Sequence, residues 1–291
     1  MKIGVHGKDF GPGQRDLIRY VFELLAKSSS EIVVSHQYFS SILDQLNGLQ
    51  GLKTYQPGDD LKHLDTMLTL GGDGTLLEAV THVGCAGVPI LGINTGRLGF
   101  LATTAKDSIE SALEAMFSQD YDFDERTLIH LDSNNDLFDG INFALNDFTI
   151  LKKDTSSMIV VHTYIDGEFL NSYWADGVIV STPTGSTGYS ISCGGPLVLP
   201  QSDNFIITPV SPHNLTVRPI VVPDSSRLSF TIEGRSNSFL ISLDSRFETV
   251  DNSIRLEVTK EKFKTKLVKL KDNNYFKTLR QKLNWGLDVR N

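Results

Sequence analysis

Three clusters in this 291-residue chain have residue types and spacings that could do chemistry. The first is Gly71-Gly72-Asp73-Gly74-Thr75, where the apolar run 66–70 meets the start of a helical pattern. Glycines there let the backbone approach an anion, and helix N–H groups point at phosphate. A carboxylate in the middle of such a loop would by itself repel phosphate, which leaves three roles for Asp73. It could bind a Mg²⁺ ion that bridges phosphates, accept the proton of an attacking hydroxyl, or cap the helix that follows. The second cluster is Asp176-Gly177, then a strand-like stretch 178–181, then Thr182-Pro183-Thr184-Gly185-Ser186-Thr187-Gly188-Tyr189-Ser190-Ile191-Ser192-Cys193-Gly194-Gly195-Pro196. Dense hydroxyls and backbone donors with one aromatic ring suit a sugar, a phosphate or a base; the plain alternative is a serine-rich loop. Thr187 and Tyr189 are the foremost contacts in it. The third is Asn146-Asp147 after Phe143-Ala144-Leu145, an amide and a carboxylate able to hydrogen-bond a nucleobase or a ribose diol, or to make a turn.

The elements that must position these clusters change character along the chain. Residues 1–125 alternate strand and helix patterns. Stretches 2–6, 31–35, 66–70 and 88–93 are apolar and strand-like. Leu17, Val21, Leu24 and Leu25, then Leu76, Leu77, Val80 and Val83, recur at helical spacing, and 108–117 reads as another helix. That order predicts a Rossmann-like α/β domain with a parallel sheet covered on both faces. From 126 alternation takes over. Leu228, Phe230 and Ile232 alternate with polar residues, as do Ile254, Leu256 and Val258. Asp139-Gly140, Asp166-Gly167 and Glu233-Gly234 mark turns. The prediction is an all-β, sandwich-like domain over 126–270. Residues 271–291 return to helical spacing and pack back on the first domain, 1–125.

Composition removes several classes. Forty per cent of residues are apolar and 21% charged, too apolar and too weakly charged for a disordered chain. No apolar run approaches the roughly 20 residues of a membrane-spanning helix. The first residues soon meet Lys8, Asp9 and Arg15, so a signal peptide is not expected. Two cysteines make no disulfide framework, which points to a reducing, cytoplasmic setting. The net charge is −8, yet residues 255–291 carry 11 basic against 4 acidic side chains. Lys260, Lys262, Lys264 and Lys266 fall at alternate positions, which reads as the solvated face of one strand, with Phe263 and Leu267 turned to the core, rather than as a nucleic-acid surface. The seven histidines show no metal-ligand spacing. Neither G-x-x-x-x-G-K-[ST] nor G-x-G-x-x-G occurs, so ordinary P-loop and dinucleotide fingerprints are absent.

Taken together, the GGDGT loop, the Asn146-Asp147 pair and the DG…STPTGSTGYS…GGP run resemble the NAD kinase family. GGDGT alone is shared with 6-phosphofructokinases, diacylglycerol kinases and sphingosine kinases; the long second motif is far more specific. Leu91-Gly92-Ile93-Asn94-Thr95-Gly96-Arg97-Leu98-Gly99-Phe100-Leu101, Pro212-His213, Arg218-Pro219, Ser242-Leu243-Asp244 and the segment 279–285 are similar too. The resemblance implies ATP- and Mg²⁺-dependent phosphorylation of the 2′-hydroxyl of the adenosine ribose of NAD. It implies Asp73 as general base between Gly72 and Gly74, and Asn146 and Asp147 on the adenine side with Phe100. It implies Asp176, preceded by Trp174, at the nicotinamide end. Thr184, Thr187, Gly188, Tyr189, Ser190 and Ser192 would form the wall, and Asp244 and Arg246 late binding contacts. The chain departs from the family's commoner residues at Gly188 (often Ala), Trp174 (often basic) and Asp147 (often Glu). The implied partners are NAD and ATP, without nucleic acid or membrane, in a homodimer or homotetramer. The competing readings are a lipid or sugar kinase of the wider GGDGT group and a non-catalytic dinucleotide sensor.

Overall fold

The computed structural model describes residues 1–8, 11–28, 30–42, 51–154, 157–271 and 273–286. Asp9 and, within the predicted returning segment, residues 272 and 287–291 lie outside the described residues. Two compact units emerge. The first holds Met1–Glu125 and the chain from Thr265 onward; the second is Arg126–Lys264.

The first unit runs β1 (Lys2–Gly7), α1 (Arg15–Lys27), β2 (Glu31–Ser35), α2 (His36–Ile42), β3 (Lys53–Tyr55), β4 (Thr66–Gly71), α3 (Asp73–Val83), β5 (Ile90–Asn94), α4 (Ile109–Ser118) and β6 (Asp122–Arg126). Helix α1 buries Ile18, Val21, Phe22 and Leu25, the i, i+3, i+4, i+7 stripe of an amphipathic helix. Strands β1, β4 and β5 are buried along nearly their whole length, as a parallel sheet covered on both faces requires. Sheet order is β3-β2-β1-β4-β5, with all four of these pairings parallel. The chain therefore winds outward from β1 to one edge and restarts at β4 on the other side. Ligands of open α/β sheets bind at the carboxyl ends of strands beside such a reversal. The GGDGT loop leaves β4 at that point.

The second unit contains β7 (Ile129–Ser133), β8 (Phe143–Ala144), β9 (Asp147–Lys152), β10 (Ile159–Ile165), β11 (Glu168–Ala175), β12 (Gly177–Ser181), the short α5 (Tyr189–Ser192), β13 (Asn204–Val210), β14 (Ile220–Pro223), β15 (Leu228–Glu233), β16 (Phe239–Leu243), β17 (Arg246–Val250) and β18 (Leu256–Lys260). They form two six-stranded sheets, β11-β10-β15-β18-β7-β8 and β14-β13-β12-β9-β16-β17. One apolar core draws on both, and Phe148 of one sheet meets Phe230 of the other with ring centroids 6.0 Å apart. This is a β-sandwich, with period-2 burial along β10, β15 and β16. Asp166 and Gly167, both at positive φ, make the two-residue turn between the paired Ile165 and Glu168.

The chain then returns as β19 (Thr265–Lys269) and α6 (Tyr275–Leu283). Two expectations change here. The predicted second domain ran to 270, but β19 pairs parallel with β5, Leu267 opposite Ile90, so the second unit stops at Lys264. The alternating lysines are not one strand face: Lys260 ends β18, Lys262 and Lys264 lie between strands, and Lys266 is in β19. A period-2 pattern cannot reveal a short turn spaced by an even number of residues. Phe263, in that connection, is half-buried and meets Phe143 edge-on, while Leu267 is buried as expected. Helix α6 buries Leu279 but leaves Phe276 and Leu283 exposed, as is Trp285 just beyond it. Among the described residues no helix is long and apolar enough to cross a membrane.

Candidate active site

Asp73 is the first residue of α3, after Gly72 in extended backbone. Its side chain does not cap the helix. Instead Oδ2 accepts the Phe100 N–H at 2.8 Å, and Oδ1 accepts the Leu101 and Ala102 N–H groups at 3.0 and 2.9 Å. Of the roughly four acceptor positions of an ionised carboxylate, three are occupied and one on Oδ2 stays open. The loop that supplies these amides is tied at its root. Asn94, at the end of β5, donates from Nδ2 to Arg97 O at 2.6 Å, accepts the Gly96 N–H, and pairs its own N–H with Thr104 O. Gly99 lets the loop close on the carboxylate: a Cβ there would stand 1.9 Å from Asp73 Oδ1. Gly72 and Gly74 are exposed, and Phe100 is half-buried.

In the second unit, Asn146 lies in the turn between β8 and β9, and Asp147 is the first residue of β9. Asp244, at positive φ between β16 and β17, accepts three consecutive N–H groups there: Leu145 at 2.9 Å on Oδ2, Asn146 at 2.8 Å and Asp147 at 3.1 Å on Oδ1. Its own N–H returns to Asp147 O at 3.0 Å. Arg246 donates to Ile141 O and Phe143 O, both at 2.5 Å, with its guanidinium over the Phe138 ring. Burial pushes the Asp244 carboxyl up, against the opposing pull of those amides and of Arg246. Asp147 is 7% exposed, and burial together with the Asp244 charge holds its carboxyl at about 7.

The Thr182–Pro196 run is bound to the same turn. Thr182 Oγ1 donates to Leu145 O at 2.6 Å and accepts the Gly185 N–H at 3.1 Å, while Thr182 N–H meets Asn146 O. Gly185 packs so closely that a Cβ would lie 2.1 Å from Asn146 O. Thr187 and Gly188 are half-buried, and Tyr189 and Ser192 are exposed. Asp176, between β11 and β12, is paired with Lys152 at 2.6 Å. Trp174 is exposed and lies against the His213 ring, centroids 4.4 Å apart, with His213 N–H bonded to Trp174 O.

Comparison with known proteins now decides the family. Residues 13–121 match the ATP-NAD kinase N-terminal domain and residues 145–270 the ATP-NAD kinase C-terminal domain. An NAD kinase from Cytophaga hutchinsonii is 55% identical over the full length of both chains, and one from Flavobacterium johnsoniae 42%. The chain belongs to the NAD kinase family. Among solved structures, an NAD kinase from Archaeoglobus fulgidus in complex with ATP matches with TM-score 0.76 at 25% identity, over 98% of this chain and 99% of that one. A yeast NADH kinase complexed with NADH shares the fold, TM-score 0.87 at 23% identity, over 100% of this chain and 89% of the other.

Against the NAD kinase expectation the candidates divide. Asp73, Phe100, Asn146, Asp176, Thr187 and Gly188 are half-buried, and Trp174, Tyr189 and Ser192 are exposed. Thr184 and Ser190 are buried, their hydroxyls engaged by Arg126 Nη1 at 3.1 Å and by Thr208 Oγ1 at 2.9 Å. Asp244 and Arg246, expected as contacts, have their polar atoms on backbone groups of the 141–147 segment. Residue type shows that a hydroxyl or a charge is present, not which way it faces. Gly99, Leu101 and Thr182 belong to motifs the sequence displays without their roles being evident, and Ala102 and Lys152 carry no signal in it. Backbone amides carry no residue signature, so only the likeness of the stretch 91–101 to the family pointed near Gly99 and Leu101.

Proposed function

We propose that this chain transfers the γ-phosphoryl group of ATP to the 2′-hydroxyl of the adenosine ribose of NAD, giving NADP and ADP, with Asp73 as general base. The observation that carries the assignment of the base is the open acceptor position on Asp73 Oδ2 in an otherwise filled cradle. A carboxylate clamped at three points has one direction left in which to receive a proton, so it selects one hydroxyl by position. The hydroxyl proton passes to Oδ2 as its oxygen bonds to the γ-phosphorus and the bond from that phosphorus to the ADP oxygen breaks. The N-terminus of α3 adds N–H groups toward the phosphates.

Mg²⁺ fits as an ion carried by the nucleotide. It binds through one or two carboxylates, its own waters and substrate phosphates, and among the described residues no group of three or more His, Cys, Asp or Glu could hold a metal alone. Phosphate oxygens of the nucleotide would hold it; bound, it would supply positive charge to the transferring phosphoryl group. Phe100 contacts the adenosine, Asn146 and Asp147 its adenine side, and Asp176 with Trp174 the nicotinamide end. Thr187, Gly188, Tyr189 and Ser192 contribute the wall. Free Cys85 and Cys193 suit a reducing, cytoplasmic setting. We infer self-association into a homodimer or homotetramer, which a monomeric mass by light scattering would overturn.

The test is a coupled assay with ATP, Mg²⁺ and NAD or NADH, following NADP(H) with a dehydrogenase specific for the phosphorylated form. Asp73→Asn should lose at least 10³-fold in kcat, the upper range for removing a general base, with NAD affinity by calorimetry within a few-fold. Wild-type kcat in that variant would end the general-base assignment.

A further inference from the structure

Asp244 and Asn146-Asp147 come from distant parts of the chain, yet the turn between β8 and β9 is built on the Asp244 carboxylate. Three successive N–H groups facing one anion make an anion-binding concavity, and here the anion is the protein's own. The left-handed backbone at Asp244 points its N–H back to Asp147 O, so the two turns close on each other through four hydrogen bonds. Arg246 holds the preceding segment by Ile141 O and Phe143 O. Both side-chain oxygens of Asp244 are committed to the backbone of this turn, so the carboxylate holds the turn in place.

We propose that Asp244 is a positioning residue for the dinucleotide, acting through Asn146 and Asp147, whose turn its carboxylate holds. The proposal rests on the reading that Asn146 and Asp147 contact NAD. Its second consequence concerns the proton on Asp147. Among charged and titratable groups, Asp244 acts on Asp147 and Arg246 acts on Asp244; Tyr189 of α5 feels Asp147, Asp176 and Cys193 in turn, and Arg126 grips Thr184 of the adjoining loop. Of these, Asp244 is the like charge that acts on Asp147, in addition to burial. A protonated Asp147 donates a hydrogen bond, and an ionised one only accepts. Asp244 therefore sets both where Asp147 sits and in which form it meets an acceptor on the adenosine.

The experiment measures KM for NAD and for ATP from pH 5.5 to 8.5 in the wild type, Asp244→Asn, Asp147→Asn and Asp147→Ala. Circular dichroism melting reports folding. Asp244→Asn should raise KM for NAD about tenfold while KM for ATP stays within about twofold. It should also move the midpoint of the NAD profile down by about one pH unit, because a like charge within a few ångströms shifts a carboxyl by that order. Asp147→Asn, a permanent donor of similar shape, should lose the midpoint. An unchanged KM for NAD in Asp244→Asn, an equal rise for both substrates, or an unmoved midpoint would overturn the proposal. Should Asp244→Asn not fold, Asp147→Asn decides: a retained midpoint overturns it. Full NAD affinity in Asp147→Ala would instead remove the reading beneath it, whatever Asp244 does.

Discussion

Two carboxylates in this molecule are each seated on three consecutive backbone N–H groups, one in each unit. Asp73 takes those of residues 100–102, and Asp244 those of residues 145–147. The local chemistry is almost the same, and the consequences differ. Asp73 stands as the first residue of a helix, at its N-terminus. Asp244 is held in left-handed backbone, gives its own N–H back to the turn, and has the carboxyl of Asp147 beside it. A three-amide cradle fixes a carboxylate; it does not say what the carboxylate is for. In the first unit the cradle serves the acid. In the second the acid serves the residues that form the cradle.

That contrast can be broken from either side. In the first unit the cradle itself is tested by Gly99→Ala, which places a methyl 1.9 Å from Asp73 Oδ1 and must push the carboxylate off its amides. Displacing a catalytic group by about 1 Å costs on the order of 10²-fold, so kcat should fall by about that factor with KM for NAD little changed. A kcat within threefold of wild type would mean that the cradle does not set Asp73. The counterpart in the second unit is Thr182→Val. The hydroxyl is fully buried and joins Leu145 O to the Gly185 N–H. Its loss strands a buried acceptor and a buried donor, about 2 kcal/mol in total. Urea unfolding should show that loss, and the kinetic change should fall on KM for NAD rather than on kcat. A fall in kcat with unchanged KM would erase the division of labour between the units.

Much of this was legible before any coordinates. Alternating strands and helices place Asp73 at the end of β4 in a Rossmann-like sheet, and period-2 burial gives the sandwich its two faces. The GGDGT loop and the Thr182–Pro196 run stand out by composition alone. What stayed hidden has common physical causes. The amides of Leu101 and Ala102 act through backbone, which every residue has. Thr184 and Ser190 have the right hydroxyls in the right motif, but they turn inward to Arg126 and Thr208. Asp244 lies 97 residues from Asp147, and only the pairing of β9 with β16 brings the two together. The four alternate lysines mimic a strand because a short turn preserves their period.

The two units also differ in the sign of their response to pH. Burial, with the His6 ring adding to it, holds the His82 imidazole down at about 4, so between that value and its ordinary 6.5 the unfolded chain binds the extra proton. His82 therefore makes the first unit more stable as pH rises through that window. Asp147 does the reverse. Its folded carboxyl titrates at about 7 against an ordinary 3.8, so between these values the native state binds the extra proton and stability falls as pH rises. One proton limits either slope to about 1.4 kcal/mol per pH unit. In urea titrations from pH 4 to 7, Asp147→Asn should gain on the wild type steadily with pH, since its neutral amide has no ionisation to oppose. His82→Gln should gain on the wild type as pH falls from 6.5 to 4. Parallel lines for wild type and Asp147→Asn would mean that the carboxyl pair is not coupled in the folded state. Asp244 would then be left with the geometry of its cradle and no part in the proton on its neighbour.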